Sequence, residues 1–409
     1  MKVLGKTKLF PGRKGDVYLL IMKIYNVTEY GVTANAEFLQ TDALQAIFDL
    51  SKNGGGKIIF PAGTYRTAGL YMHSDTTVYL ESGAVIEGSD NCEDYRVFPF
   101  PEGVEDYSDM LLLLRYYGKP WDEYRRSILS AYGEHNLSII GEEGSVIDGV
   151  HCYDPNGEEG YRGPHMIYFT NCDNITLHGY TARYAGNFMQ QLDKCNHTTM
   201  TNVTCIGGSD GIHLHYCDDT LIDGCTFHTG DDCIAGIYVT NLRVRRCELN
   251  TSCDVFRIGG VHILVEDCHI HGPGIWPHRK TVVRGKNDEL PQSEGRHNTI
   301  CVMIYFASID NPDPEPSHDI VFKNCRIDGV DTFLHYNHRD LLSAGTYLTE
   351  ITLDNVVFTD LLGSSYLCAP EEAPLNVHMK DVTVSLRENA APGALLFDGC
   401  DPHTHIVTV

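Results

Sequence analysis

Three aspartates in the middle of the chain recur at a fixed interval, with a fourth beside them. Gly208-Ser-Asp-Gly-Ile212 is followed by Gly230-Asp-Asp-Cys-Ile234 and then by Ser252-Cys-Asp-Val-Phe256. Asp210, Asp232 and Asp254 therefore lie 22 and 22 residues apart, with Asp231 beside the column. If each interval is one turn of a coil, these carboxylates are vertical neighbours. Two like charges ~5 Å apart cost about 3 kcal/mol at an effective dielectric of ~20, so an inert corner would favour asparagine. Crowding raises the pKa of one carboxyl while its neighbours stay ionised, which suits acid–base chemistry. Glycosidic cleavage needs that combination: an acid for the leaving oxygen and a base for water. Asp210 and Asp232 stack and are expected to share the water. Asp231, displaced sideways, is expected to face the glycosidic oxygen, at the ~6.5–9.5 Å separation of inverting enzymes. The other readings are a capped polar corner or a Ca²⁺ site. No cofactor and no resident metal are expected.

Residues around the column are candidates for binding substrate. His213 and His215 alternate away from Ile212 and Leu214, which places both on the solvent side of a strand, flanking a cleft. Arg257, on the third coil, can hold Asp254 or substrate. The stretch 277–298 carries Arg279, Lys280, Arg284, Lys286 and Arg296 in a chain of net charge −24. Arginine pairs bidentately with carboxylates, so this is a uronate subsite or a solvated basic loop. Trp276 is a candidate for stacking on a sugar ring. His228, His262, His269 and His271 lack tight metal-ligand spacing.

The elements that position these residues repeat. Cys172-Asp-Asn-Ile-Thr-Leu, Cys195-Asn-His-Thr-Thr-Met, Cys217-Asp-Asp-Thr-Leu-Ile, Val239-Thr-Asn-Leu-Arg-Val and Gly260-Val-His-Ile-Leu-Val begin 23, 22, 22 and 21 residues apart. A second column runs through Cys225, Cys247 and Cys268. A fixed period near 22, with β-branched strands and Asn, Asp or Gly at corners, predicts an all-β solenoid: a parallel β-helix with coils stacked ~4.8 Å apart. Thr41 to Lys52, with Ala43, Leu44, Ile47, Phe48 and Leu50 and a glycine stop at 54–56, predicts a short amphipathic helix capping the first coil. Residues 1–23 read as an extension, and 24–409 as one catalytic domain with loop insertions near 91–130 and 277–298. The first insertion is acidic and aromatic, with Tyr95, Phe98, Phe100, Tyr116, Tyr117, Trp121 and Tyr124.

Composition narrows the partners. A net charge of −24 argues against nucleic acid and anionic membranes. The 15 cysteines are an odd number placed on apolar strands, which predicts mostly free thiols. Val17 to Met22 is too short for a signal sequence and no stretch reaches a membrane span, so a cytoplasmic location is expected.

From about Asn26 the chain resembles glycoside hydrolase family 28, the polygalacturonase family. The resemblance rests on Phe60-Pro-Ala-Gly-Thr-Tyr65, Leu80 to Gly88, Gly141 to Gly149 ending Val-Ile-Asp-Gly, and Arg162-Gly-Pro-His-Met-Ile167. Ser209-Asp210-Gly211 and Gly230-Asp231-Asp232-Cys233 look like its catalytic signatures. The resemblance implies a right-handed parallel β-helix acting on pectin-type oligosaccharides or polysaccharides, with Asp231 as acid and Asp210 and Asp232 holding water. Two motifs depart from the family. Ser252-Cys253-Asp254 stands where Gly-His-Gly is expected, and Arg284-Gly-Lys286 only loosely echoes Arg-Ile-Lys. The competing functions are a polysaccharide lyase on the same fold and a carbohydrate-binding β-helix without chemistry. The two loop insertions predict action on chain ends or short oligomers.

Overall fold

A computed structural model describes residues 23–104, 124–156, 162–278, 295–307, 315–390, 396–397 and 400–408. The repeat predicted from the cysteine and aspartate columns is a three-stranded coil. One coil runs through Gln190–Asp193, Asn196–Thr201 and Thr204–Gly207; the next runs through Ile212–His215, Asp218–Asp223 and Thr226–Thr229. Successive coils pair in parallel with Gln190, Ile212, Ile234 and Phe256 in one file. Asn196, Asp218, Thr240 and Val261 form another, at spacings of 22, 22 and 21. The strands form one 21-stranded sheet, which supplies two faces of the prism, and one 11-stranded sheet, which supplies the third. Parallel crossovers of L-residues close in the right-handed sense, and the molecule is a right-handed parallel β-helix.

Corners need a left-handed residue in each coil. Asn174, His197, Asp219, Asn241, His262 and Asp319 stack at one corner with φ between +51° and +57°. Asn and Asp tolerate that region through local hydrogen bonding, which is why they punctuate the repeat. Inside, Ile, Val, Leu, Phe and Cys form one continuous core. All 15 cysteines are free thiols and 13 are buried.

The predicted helix forms over Thr41–Asp49 and buries Leu44, Ile47 and Phe48 on the first coil, Phe48 meeting Phe60 edge-on at 6.5 Å. It is shorter and its apolar face narrower than the sequence suggests: Ala43 and Leu50 are exposed. Five residues past its end, Gly54 and Gly55 turn the chain at φ +105° and +67°. Among the described residues no helix is long and apolar enough to cross a membrane. Residues 1–22 lie outside the described residues.

The faces differ in a way that matters for function. Second-face strands alternate as expected, but first-face strands such as Ile212–His215 are buried on both sides. Their outward side carries Tyr71, Tyr132, Tyr168 and His165. The first insertion packs onto that side, with Phe98 against Tyr71 at 5.3 Å and Phe100 against Tyr132 at 4.7 Å. His213 and His215 are therefore 3% and 1% exposed, not on a solvent surface as their alternation suggests.

Candidate active site

The aspartates sit where the chain turns from the third face onto the first. The backbone ladder continues through this corner: the Gly211 N–H donates to the Asp232 carbonyl (3.0 Å) and the Cys233 N–H to the Asp254 carbonyl (3.3 Å). Asp210, Asp232 and Asp254 are thus stacked, as their spacing predicts. One coil below, the Met189 N–H donates to the Asp210 carbonyl (3.0 Å), which puts Phe188 beneath Asp210. Asp231 leaves the column. Its carbonyl accepts from the Thr229 hydroxyl at 2.8 Å and from the Thr251 hydroxyl, one coil above, at 2.5 Å. Two glycines permit the tight turn. A Cβ on Gly211 would lie 2.4 Å from the Phe227 ring, and one on Gly230 would lie 2.2 Å from the Pro277 carbonyl oxygen.

Asp210, Asp231 and Asp232 each place a carboxylate oxygen within 4.8 Å of the other two. These closest oxygens are nearer than the separation expected from the sequence. The stereochemical outcome therefore turns on which side of the sugar the Asp210–Asp232 pair meets. Burial raises the Asp232 carboxyl well above its ordinary range, reinforced by Asp210, Asp231 and Asp254 and opposed by Arg257. Asp254 is pushed up to about 7 by burial and by Asp231, with Arg257 and Arg296 pulling it back. The corner therefore holds a proton at neutral pH, and that proton belongs to the cluster.

Three guanidinium groups face this charge. Arg162 Nη2 lies 3.6 Å from Asp231 Oδ2, both side chains almost wholly buried. Arg257 lies over the Phe306 ring at 3.6 Å, and its charge acts on Asp232 and Asp254. Arg296 reaches the Cys253 thiol at 3.7 Å. Cys253 and His278 also come within 4.8 Å of Asp231, and His278 Nδ1 is 3.0 Å from the Gly230 carbonyl oxygen. The spacing of the carboxylates alone would admit a cation. With arginines supplying the countercharge, none is assigned as a metal ligand.

The structure brings Asp210, Asp231, Asp232, Asp254, Arg257 and His213 together. His213 Nε2 is 2.6 Å from Asp210 Oδ2, and its ring lies flat on Phe188, centroids 3.9 Å apart. Trp276 is 3% exposed, stacked at 5.8 Å on His151, which in turn stacks on Tyr184. Arg279, Lys280, Arg284 and Lys286 lie outside the described residues. Sequence reasoning did not single out Arg162, Phe188, Cys253 or His278 as site residues. Arg162 had a signal, the Arg-Gly-Pro segment; the others become neighbours only through stacking. Both insertions border the acids. Tyr124, at the end of the first, packs on His165 at 4.8 Å and Phe188 at 6.5 Å. His278 and Arg296, at the ends of the second, stand beside Asp231 and Cys253.

A parallel β-helix with buried, arginine-faced carboxylates at one corner defines the class. Residues 120–254, which include all four aspartates, match the profile of glycosyl hydrolases family 28. An exo-poly-alpha-D-galacturonosidase of Dickeya chrysanthemi is 36% identical over 88 residues, 22% of this chain and 14% of the relative. A polygalacturonase of Saccharomyces cerevisiae is 22% identical over 261 residues, 60% of this chain and 66% of the relative. The chain thus spans less than two thirds of these curated relatives. A hyperthermoactive exopolygalacturonase from Thermotoga maritima shares the fold, with a TM-score of 0.63 at 15% identity over 88% of this chain and 86% of that one.

Proposed function

We propose that the protein is a glycoside hydrolase that cleaves glycosidic bonds of uronic-acid-containing, pectin-type oligosaccharides. The observation that carries this reading is the trio Asp210, Asp231 and Asp232, buried, mutually within 4.8 Å and faced by arginines. Asp231 donates the cluster proton to the leaving oxygen. Asp210 and Asp232 orient a water, and Asp210 in its ionised form takes the proton as the water attacks the anomeric carbon. Attack from the face opposite the leaving group inverts the anomer. Arg257 and Arg296, with Arg284 and Lys286 of the second insertion, offer countercharge for the uronate.

Action on chain ends or short oligomers is the finer part of the reading. It is supported by Tyr124, which packs on Phe188 beneath Asp210, and by His278 and Arg296 beside Asp231 and Cys253: described residues of both insertions border the acids. The relatives named for exo-action agree with it. Screening against pectic oligosaccharides, with product masses and the anomer of the first product followed by NMR, tests both parts. Hydrolytic release of monosaccharide with inverted configuration is expected. An unsaturated uronate product would mean a lyase, and a retained anomer would remove the water-holding role from one aspartate.

A further inference from the structure

A chain of buried polar groups leads from Asp210 away from the cleft, and nothing in the acid–water mechanism uses it. His213 Nε2 stands 2.6 Å from Asp210 Oδ2. His213 Nδ1 is 2.9 Å from His215 Nε2. His215 Nδ1 is 3.2 Å from Asp193 Oδ1. Asp193 is fully buried on the coil below, where it accepts from the Tyr168 hydroxyl at 2.9 Å and from Gln191 Nε2 at 2.5 Å. The imidazoles follow each other because residues two apart on a strand share a side, and Asp193 pairs with His215 in the ladder.

We propose that His213, His215 and Asp193 form a proton relay that sets the charge of Asp210, making His213 and His215 positioning residues for the water-activating base. The inference rests on the reading of Asp210 as that base.

The proton count fixes what the relay can do. Three contacts link four groups, and filling each contact with one proton leaves the chain with a net charge of −1. In one arrangement Asp210 carries a proton, both imidazoles are neutral with hydrogen on Nδ1, and Asp193 is ionised. In the other, the Asp210 proton has moved to His213 Nε2 and the His213 Nδ1 proton to His215 Nε2. Asp210 is then ionised, His213 is neutral again, and His215 is an imidazolium held by ionised Asp193. Two hops exchange the states with no change in total charge, so burial does not forbid the exchange.

Geometry favours His213 as the neutral link. Its ring is clamped on Phe188, and the Arg162 guanidinium lies 4.8 Å from the centre of that same Phe188 ring. Burial and the neighbouring His215, Arg257, Arg162 and His165 hold His213 well below the ordinary histidine range. His165, facing both histidines, is itself held neutral, with its pKa pushed down to about 3. His215 alone has a carboxylate countercharge on its far side. On the cleft side Asp210 meets Asp231 and Asp232, whose repulsion makes its ionised state costly without such support. The Asp210–His213 contact is short but lies outside hydrogen-bond alignment. With the ring clamped, rotation of the Asp210 carboxyl completes the chain.

The chain also answers the missing Gly-His-Gly histidine. Cys253 occupies that position, and imidazole reaches the acids instead from the coil of Asp210 itself.

Asp193→Asn is nearly isosteric and removes the anchoring charge. The proton should then stay on Asp210 to higher pH. We expect kcat to fall about tenfold or more with KM within about twofold, and the acid limb of the kcat/KM profile to move up by about one pH unit. His215→Gln should move the same limb in the same direction and serves if Asp193→Asn fails to fold. A second readout does not need activity. In ¹⁵N-histidine-labelled protein, His215 should show two protonated ring nitrogens at neutral pH and His213 one, and the His215 imidazolium should vanish in Asp193→Asn. A failure of the glycosidase reading would show as an inactive wild type with this nitrogen pattern intact. A neutral His215 in the wild type, or an unshifted acid limb in folded Asp193→Asn, would overturn the relay.

Discussion

Arg162 and Asp231 face each other across the corner with Nη2 and Oδ2 3.6 Å apart, and only 9% and 4% of their side chains are exposed. Such a pair is costly to break from one side, because the remaining buried charge loses the countercharge beside it. Arg162→Gln is therefore expected to destabilise the protein by roughly 3–5 kcal/mol in urea denaturation. Arg162→Lys should recover only part of this, since a compact ammonium cannot both lie over Phe188 and reach Asp231 as the planar guanidinium does. Equal stability of the glutamine variant and the wild type would mean that Arg162 does not carry the charge of Asp231.

The raised carboxyl of Asp254 predicts a stability that depends on pH. Its folded pKa of about 7 lies above the ordinary 3.8, so the folded state keeps a proton that the unfolded chain gives up. That contribution is complete below about pH 4 and is lost as pH rises through 7. Asp254→Asn, permanently neutral, should match the wild type near pH 3 and exceed it near pH 8 by on the order of a few kcal/mol. Thermal unfolding at the two pH values gives the comparison. A difference that does not grow with pH would show that Asp254 titrates normally.

The segment around Pro277 rests directly on the Asp231 corner, and Gly230 leaves room for it. A Cβ there would meet the Pro277 carbonyl oxygen at 2.2 Å and the Gly208 carbonyl oxygen at 2.8 Å, both backbone atoms. Gly230→Ala should cost about 1–3 kcal/mol, the usual range for overpacking, and lower kcat by displacing Asp231. Gly363→Ala, with nothing within 4 Å of its added Cβ, is the control. Full activity in Gly230→Ala would mean that the turn tolerates rearrangement without moving the acid.

The coil could be read from the sequence because stacking turns a linear period into vertical contact. The 22-residue spacing of Asp210, Asp232 and Asp254 reappears in the ladder without a shift. What the spacing does not encode is what lies outside each face. His213 and His215 alternate like solvent-facing residues, yet both are buried, His213 under the Phe188 ring and His215 against Asp193. Arg162 reaches Asp231 from a loop three coils below in the stack, and His278 from a strap beyond the third coil. No local pattern joins those positions. The narrowed helix face has a similar origin: Ala43 and Leu50 fit an amphipathic stripe, but the first coil is wide enough to cover only Leu44, Ile47 and Phe48.

Asp231→Asn tests the central claim most directly. The substitution keeps the size of the side chain and the backbone bonds from Thr229 and Thr251, and it removes the group that donates to the leaving oxygen. Turnover of a short oligogalacturonide should fall by about 10²–10⁴-fold while KM stays close to that of the wild type. A variant that keeps more than about a tenth of wild-type turnover would contradict the assignment of Asp231 as the general acid.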